Sequence, residues 1–132
     1  MALAHILIAD DYDDNRELLR LMLEGAGYRV RETRNGRECV AAARAELPDI
    51  ALIDLSMPVL DGWATLRELR ADERTRNVAC IAVTALAAEQ DRQRALDAGF
   101  DAYLAKPYRS RDLLELVERL LNQTKAATDN AL

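Results

Sequence analysis

The feature that most constrains the fold is a strand-then-helix pattern that repeats five times along the chain. Three short runs are almost wholly apolar: HILIA at 5–9, IALID at 50–54 and VACIAVTA at 78–85. A strand that is apolar on both faces is typical of a parallel sheet covered by helices on each side. Because crossovers between parallel strands are right-handed, the pattern predicts a doubly wound α/β domain with a five-stranded parallel sheet.

Turn and capping signals predict the remaining elements. YRVRET at 28–33 favours a second strand and DAYLAKP at 101–107 favours a fifth. Helices are expected in the stretches between strands, which carry apolar residues three or four positions apart and end at Gly25, Pro48 and Gly99. The last helix begins near Ser110, and residues 123–132 have no periodicity, so we expect them to form a short disordered tail.

Composition excludes several classes of protein. At 132 residues the chain is long enough for one domain with a real core. Its net charge of −5 argues against a nucleic-acid-binding surface. It has no apolar run long enough to cross a bilayer and no signal-peptide pattern, so we expect no membrane association. Cys39 and Cys80 have no partner motif and are expected to be reduced and buried, which fits a cytoplasmic protein.

Polar side chains follow four of the five predicted strands. Asp10 and Asp11 come after the first, Asp54 ends the third, Thr84 ends the fourth and Lys106 ends the fifth. Ligands of doubly wound sheets bind beyond the carboxyl ends of the strands, so these residues should converge on one crevice. Three neighbouring carboxylates repel one another unless a cation joins them, and Mg²⁺ suits such oxygen ligands.

The hydrogen-bond donors of this crevice indicate that it also receives an anion. Thr84 and Lys106 would serve a phosphoryl group bound beside the metal. A carboxylate held at the end of a rigid strand can act as a nucleophile on phosphorus, and phosphoryl transfer needs positioning and charge neutralisation above all. We therefore expect Asp54 to be a phosphoryl acceptor.

Five separated motifs resemble those of the receiver domain of two-component response regulators. They are Asp10-Asp11, DLSMPVLDG at 54–62, VTA at 83–85, Tyr103 and Lys106-Pro107, each at or close to a predicted strand end. The chain is similar to the single-domain chemotaxis and cell-cycle regulators from about Ile6 to Leu121. The resemblance implies a flavodoxin-like fold with strand order 2-1-3-4-5 and a receiver domain at 1–122.

The resemblance implies a role for each matching residue. It makes Asp54 the phosphoacceptor, with Mg²⁺, for which Mn²⁺ can substitute, held by Asp10, Asp11, Asp54 and the backbone carbonyl of Ser56. It also implies that Lys106 pairs with the phosphoryl oxygens and that Thr84 moves towards them. Tyr103 would then turn inward as a switch residue, although a static core role for it is about equally well supported.

Three positions near the phosphoacceptor are implied to tune the reaction. Ala85 is small and keeps the phosphoryl site open. Some members of the family carry amides or acids at the positions of Ser56 and Leu86 that orient the hydrolytic water. Ser56 is short and Leu86 cannot form a hydrogen bond, so we hypothesise a long-lived phosphorylated form.

The implied function is a phosphorylation-dependent switch rather than an enzyme with its own substrate. The phosphodonor would be a histidine kinase or a histidine phosphotransfer protein, and the chemistry would be limited to Mg²⁺-dependent self-phosphorylation and self-dephosphorylation. Phosphorylation would reshape the surface of residues 86–108, and a downstream protein would bind the 86–121 face. We expect a monomer or weak dimer, either free-standing or part of a longer protein.

Other classes of protein share part of this residue pattern. A haloacid-dehalogenase-like phosphatase also uses an aspartyl phosphate, but its nucleophile ends the first strand. A flavodoxin-like redox module needs a phosphate-binding loop, whereas DDYDDN at 10–15 is acidic. A receiver used only as a binding scaffold remains open. Asp61 is expected to serve a turn, and His5, the only histidine, lies at the start of the first strand, away from the crevice.

Overall fold

The computed structural model describes residues 3–85 and 88–130, with side chains as far as 123. Five parallel strands form one sheet in the order β2-β1-β3-β4-β5, which confirms the predicted topology. The strands are β1 (His5–Ala9), β2 (Arg29–Thr33), β3 (Ile50–Asp54), β4 (Ala79–Thr84) and β5 (Ala102–Ala105).

Five helices connect and cover these strands. They are α1 (Asp13–Gly25), α2 (Gly36–Ala45), α3 (Gly62–Ala71), α4 (Glu89–Ala98) and α5 (Ser110–Asn130). Their apolar residues divide between two core clusters, one with α1 and α5 and the other with α2, α3 and α4. The helices therefore cover both faces of the sheet, as right-handed crossovers require.

The central strands are apolar except at their ends, because successive side chains enter the two clusters alternately. In β3, Ile50 and Leu52 pack with α1 and α5, while Ala51 and Ile53 pack with α2, α3 and α4. β2 lies at an edge of the sheet, and its alternating sequence leaves most of its side chains partly exposed. Successive side chains of a strand point to opposite faces of the sheet, so a strand covered on both faces is apolar throughout its middle, whereas an edge strand can alternate.

Local signals account for several helix ends. Asn35 caps α2 by accepting a hydrogen bond from the backbone N–H of Glu38, and Asp61 caps α3 in the same way through Ala64. Gly99 follows α4 with φ 116°, a left-handed conformation that glycine adopts without steric cost. Asp61 therefore serves the backbone, which fits the turn role expected of it.

The last helix extends into the segment 123–132 that was expected to form a tail. The structure continues α5 through Asn130. The segment 123–130 contains no glycine or proline to end the helix, and lysine, glutamine and alanine are strong helix formers. The division into a receiver domain at 1–122 and a tail stays a prediction.

The two cysteines are buried, as the sequence analysis expected. Cys39 and Cys80 are free thiols, both fully buried. Burial raises the pKa of each thiol to about 12. Within the described residues, no helix is long and apolar enough to cross a membrane.

Candidate functional site

Three aspartates meet at the carboxyl edge of the sheet. Asp54 is the last residue of β3, and Asp10 and Asp11 follow β1, its neighbour in the sheet. One carboxylate oxygen from each residue lies within 4.8 Å of the others. Asp10 and Asp54 are only 2% and 6% exposed, so their repulsion is poorly screened by water. The sheet topology thus creates the acidic cluster that the sequence analysis predicted.

Lys106 brings a positive charge to this cluster. Its Nζ lies 3.3 Å from Oδ2 of Asp54 and 3.4 Å from Oδ2 of Asp10. The backbone N–H of Lys106 donates to the carbonyl of Thr84 at 2.8 Å, which continues the β4–β5 pairing beyond the end of β5. The pairing of two parallel strands therefore places a lysine from one strand end beside an aspartate from another.

The carboxylate of Asp54 is held in a defined orientation. Its Oδ1 accepts the backbone N–H of Ser56 at 2.9 Å, while Oδ2 faces Lys106. Burial raises the pKa of Asp54 above its ordinary value, and the neighbouring Asp10 adds to the increase. The Ser56 N–H and Lys106 oppose it. Desolvation makes the charged form costly, and a bound cation would stabilise it.

The donor set fits a hard divalent cation. Oδ1 of Asp11 is buried and has no hydrogen-bond partner within the described part of the chain. Oδ1 of Asp10 accepts the backbone N–H of Tyr12 at 2.9 Å, and Oδ2 faces Lys106. A buried carboxylate oxygen without a donor is costly, and oxygen ligands from two or three carboxylates suit Mg²⁺. The residues present therefore fit the metal that the sequence analysis predicted.

A crevice of about 410 Å³ opens next to the aspartates. Its lining combines Asp11, Asp54 and Lys106 with residues that follow or end β3 and β4. Thr84 is buried and Ser56 and Ala85 are exposed. Thus Asp54, Ser56, Thr84, Ala85 and Lys106 converge as predicted, and Leu86 lies outside the described residues. The convergence does not test the roles proposed for them.

Tyr103 is half-buried on β5. Its ring packs against the core cluster of α2, α3 and α4, and its hydroxyl is buried without a hydrogen-bond partner in the described residues. Burial, followed by the nearby charge of Asp91, raises the pKa of this phenol. The core and switch interpretations of Tyr103 both remain predictions.

The sequence analysis missed two residues beside the cluster. Arg16 on α1 is 8% exposed, and its NH1 donates to the backbone carbonyl of Asp10 at 2.7 Å. Tyr108 lines a neighbouring groove together with Asp10 and Lys106; burial, helped by Asp10, raises the pKa of this phenol to about 12. The Asp13–Arg16 spacing, which allows an ion pair within one turn of α1, was the available signal for Arg16.

Comparison with known proteins identifies the family. A sequence model described as the response regulator receiver domain matches residues 6–118. The polar-differentiation response regulator DivK of Brucella anthropi is 34% identical over 88% of this chain and 94% of its own length.

Two solved structures share the fold. The receiver domain of the sensor histidine kinase PA1611 from Pseudomonas aeruginosa has a TM-score of 0.85 at 38% identity. The match covers 92% of this chain and 99% of that one, and that structure has a magnesium ion coordinated in its active-site cleft. The Vibrio cholerae chemotaxis protein CheY4 has a TM-score of 0.84 at 27% identity, over 90% and 99% of the two chains. The chain therefore belongs to the response regulator receiver domain family, the phosphorylation-dependent switches of two-component signalling.

Proposed function

We propose that this receiver domain accepts a phosphoryl group on Asp54 from a histidine kinase or a histidine phosphotransfer protein. The observation that carries the proposal is the placement of the Asp54 carboxylate. It is buried at the end of β3, 3.3 Å from Nζ of Lys106, and it shares a cluster with Asp10 and Asp11. A structural role for such a carboxylate would be costly, because burial already raises its pKa.

In the proposed transfer, a carboxylate oxygen of Asp54 attacks the phosphorus of a phosphohistidine. The new P–O bond forms as the P–N bond breaks, and the electron pair of that bond returns to the imidazole of the donor. The Ser56 N–H fixes Oδ1 of Asp54 and Lys106 faces Oδ2, so the nucleophile is oriented before the donor arrives.

We propose that Mg²⁺, or Mn²⁺ in its place, is held by Asp10, Asp11, Asp54 and the backbone carbonyl of Ser56. When bound, the metal supplies positive charge to the oxygens of the transferring phosphoryl group. The unpartnered buried oxygen of Asp11 and the presence of a magnesium ion in the related PA1611 receiver support this assignment.

Switching is proposed to begin with the new charge on Asp54. Thr84 and Lys106 gain a partner in the phosphoryl oxygens, and differential contacts of this kind are what shift a two-state equilibrium. Thr84 and Lys106 are tied through the hydrogen bond between their backbones, so their movements are coupled. In this scheme Tyr103 turns inward after Thr84 has moved, and the surroundings of its buried hydroxyl change.

The proposed output is a change in the surface of residues 86–108 that controls a protein bound to the 86–121 face. The protein would act in the cytoplasm as a monomer or weak dimer, with no substrate turnover apart from its own phosphorylation and dephosphorylation. Ser56 offers no amide or carboxylate to orient a hydrolytic water, which supports a long-lived phosphorylated form. A half-life of seconds without a phosphatase would contradict that last point.

The decisive experiment is intact-protein mass spectrometry after incubation with acetyl phosphate and Mg²⁺. We expect one phosphoryl increment in the unaltered protein, and none after Asp54→Asn or in EDTA. Asp97→Asn, which changes an exposed aspartate on α4, is the matched control and should be phosphorylated normally.

Two results would contradict the proposal. An increment that survives Asp54→Asn would place the phosphoacceptor elsewhere. No increment under any condition, including incubation with a phosphorylated histidine phosphotransfer protein, would favour the scaffold interpretation instead.

A further inference from the structure

We infer that Arg16 is a positioning residue for the metal-binding acids, because it locks the peptide between Asp10 and Asp11 in one orientation. The inference rests on the proposed function, since it concerns the same Mg²⁺ site. Arg16 lies on α1, lines no part of the crevice, and belongs to none of the five motifs that identify the family.

The contact that carries the inference is a buried hydrogen bond. NH1 of Arg16 donates to the carbonyl oxygen of Asp10 at 2.7 Å. That oxygen belongs to the peptide group that links Asp10 to Asp11. Its direction therefore fixes the orientation of the peptide plane that precedes the Cα of Asp11. A peptide group is planar, and holding its oxygen therefore restrains the residues on both sides.

The other side of Asp10 is already fixed. Its backbone N–H donates to the carbonyl of Thr33 at 3.1 Å, and its Oδ1 accepts the N–H of Tyr12. The side chain of Asp11 differs, because its Oδ1 is buried without a hydrogen-bond partner among the described residues. The bond from Arg16 thus restrains the peptide from which Asp11 departs.

The guanidinium of Arg16 is itself held by two further contacts. NH2 pairs with Asp13, and Nε lies 3.5 Å from Oε1 of Glu32 on β2. A planar guanidinium with its nitrogens committed in different directions has little freedom to move. The turn after β1 is therefore tied through one side chain to both α1 and β2.

The charge of Arg16 does not explain its position. Two carboxylates, Asp13 and Glu32, face the guanidinium directly, so its field at the crevice is largely cancelled nearby. A bare cation beside a cation site would also weaken Mg²⁺ binding. The effect of Arg16 on the site must consequently be geometric.

Arg20 provides a matched control one turn further along α1. It pairs with Glu32, at 2.6 Å, and with Glu24, and within the described part of the chain it forms no bond to the Asp10 carbonyl. Arg16→Gln and Arg20→Gln remove the same charge from the same helix, and only the first removes the bond to Asp10.

The test is isothermal titration calorimetry of Mg²⁺ into the metal-free protein, with urea unfolding of each variant measured separately. Removing the outer partner of a ligating residue typically weakens metal binding 10- to 100-fold, so we expect a rise in dissociation constant of about that size for Arg16→Gln. Arg20→Gln should bind Mg²⁺ within about twofold of the unaltered protein. In metal-free protein, the Asp11 amide resonance should shift in Arg16→Gln and stay in place in Arg20→Gln.

Arg16→Lys covers the case in which Arg16→Gln does not fold. The ammonium of a lysine keeps the charge but cannot contact Asp10, Asp13 and Glu32 at once, as the planar guanidinium does. The Mg²⁺ dissociation constant of Arg16→Lys should therefore also rise, by about fivefold or more. Mg²⁺ affinity within twofold of the unaltered protein in every folded Arg16 variant would overturn the inference. Failure of the unaltered protein to bind Mg²⁺ would instead overturn the proposed function, and the inference with it.

Discussion

Gly62 offers a sharp test of how the phosphoacceptor strand is packed. It is the first residue of α3, and it lies directly against the backbone of Asp54 and Leu55. A Cβ at Gly62 would come within 2.4 Å of the Asp54 carbonyl oxygen and 2.7 Å of the Leu55 Cα. Both are backbone atoms, so no side-chain rotation can relieve the overlap.

Helix propensity and packing predict opposite signs for Gly62→Ala. Propensity alone favours alanine in a helix by about 1 kcal/mol. The contact to Asp54 is about 1 Å shorter than ordinary van der Waals separation, and overpacking of a tight interior costs about 1–3 kcal/mol or more. Because the obstructing atoms belong to a central strand, we place the overlap at the upper end of that range. We expect a net loss of about 2 kcal/mol in the free energy of unfolding.

Gly25→Ala is the matched control. Gly25 is the last residue of α1, and a Cβ added there would meet no atom of the described chain within 4 Å. Alanine at this position should therefore be neutral or stabilise by up to about 1 kcal/mol. The assay is urea unfolding followed by far-ultraviolet circular dichroism, with both variants compared at equal m-value. A Gly62→Ala protein as stable as the unaltered one would refute the idea that the Asp54 backbone blocks a side chain there.

Three further predictions concern the opposite edge of the sheet and the core. The guanidinium of Arg70 donates to the carbonyls of Arg76, Val78 and Gly99 and to the carboxylate of Asp101. Arg70→Ala should therefore lower the free energy of unfolding, measured in urea, by about 2–3 kcal/mol. An unchanged free energy would refute a structural role for Arg70. Burial, followed by the charges of Arg31 and Arg29, lowers the pKa of His5 below 6.5 in the folded protein. Because the unfolded chain therefore binds a proton at His5 more readily, the free energy of unfolding should decrease as pH falls below 6.5. His5→Gln should reduce the slope of stability against pH between 7 and 5, and an unchanged slope would contradict this. Cys39 and Cys80, with thiol pKa values raised to about 12, should react with Ellman's reagent only in unfolding urea; rapid labelling of the native protein would show that they are accessible.

Much of the fold could be predicted because the strands carry unusually simple signals. IALID is apolar throughout except at its last residue, and the structure gives β3 the same bounds, 50–54. α3 lies in a stretch between strands where a helix was expected, and its apolar residues Leu66 and Leu69, three positions apart, are buried. The end of α5 could not be predicted from periodicity, because the sequence of residues 123–130 shows no apolar stripe.

The candidate site was predictable to the extent that strand topology determines it. Residues that end parallel strands must meet at one edge of the sheet, so the approach of Lys106 to Asp54 follows from the strand order once the strands are identified. Arg16 could not be identified in this way. Its position in the sequence is that of an ordinary helix arginine, and only the tertiary structure turns its guanidinium inward to the Asp10 carbonyl.

The sequence by itself determined the order of the elements, the two-sided burial of the central strands and the set of polar residues at their carboxyl ends. These properties depend on local periodicity and on a topological rule that applies to any parallel sheet. The tertiary structure alone decided which oxygen of Asp54 faces Lys106, which oxygen of Asp11 is left without a partner among the described residues, and which glycine abuts the phosphoacceptor strand. Those details depend on contacts of a few ångströms between residues far apart in the chain, and no pattern along the sequence records them.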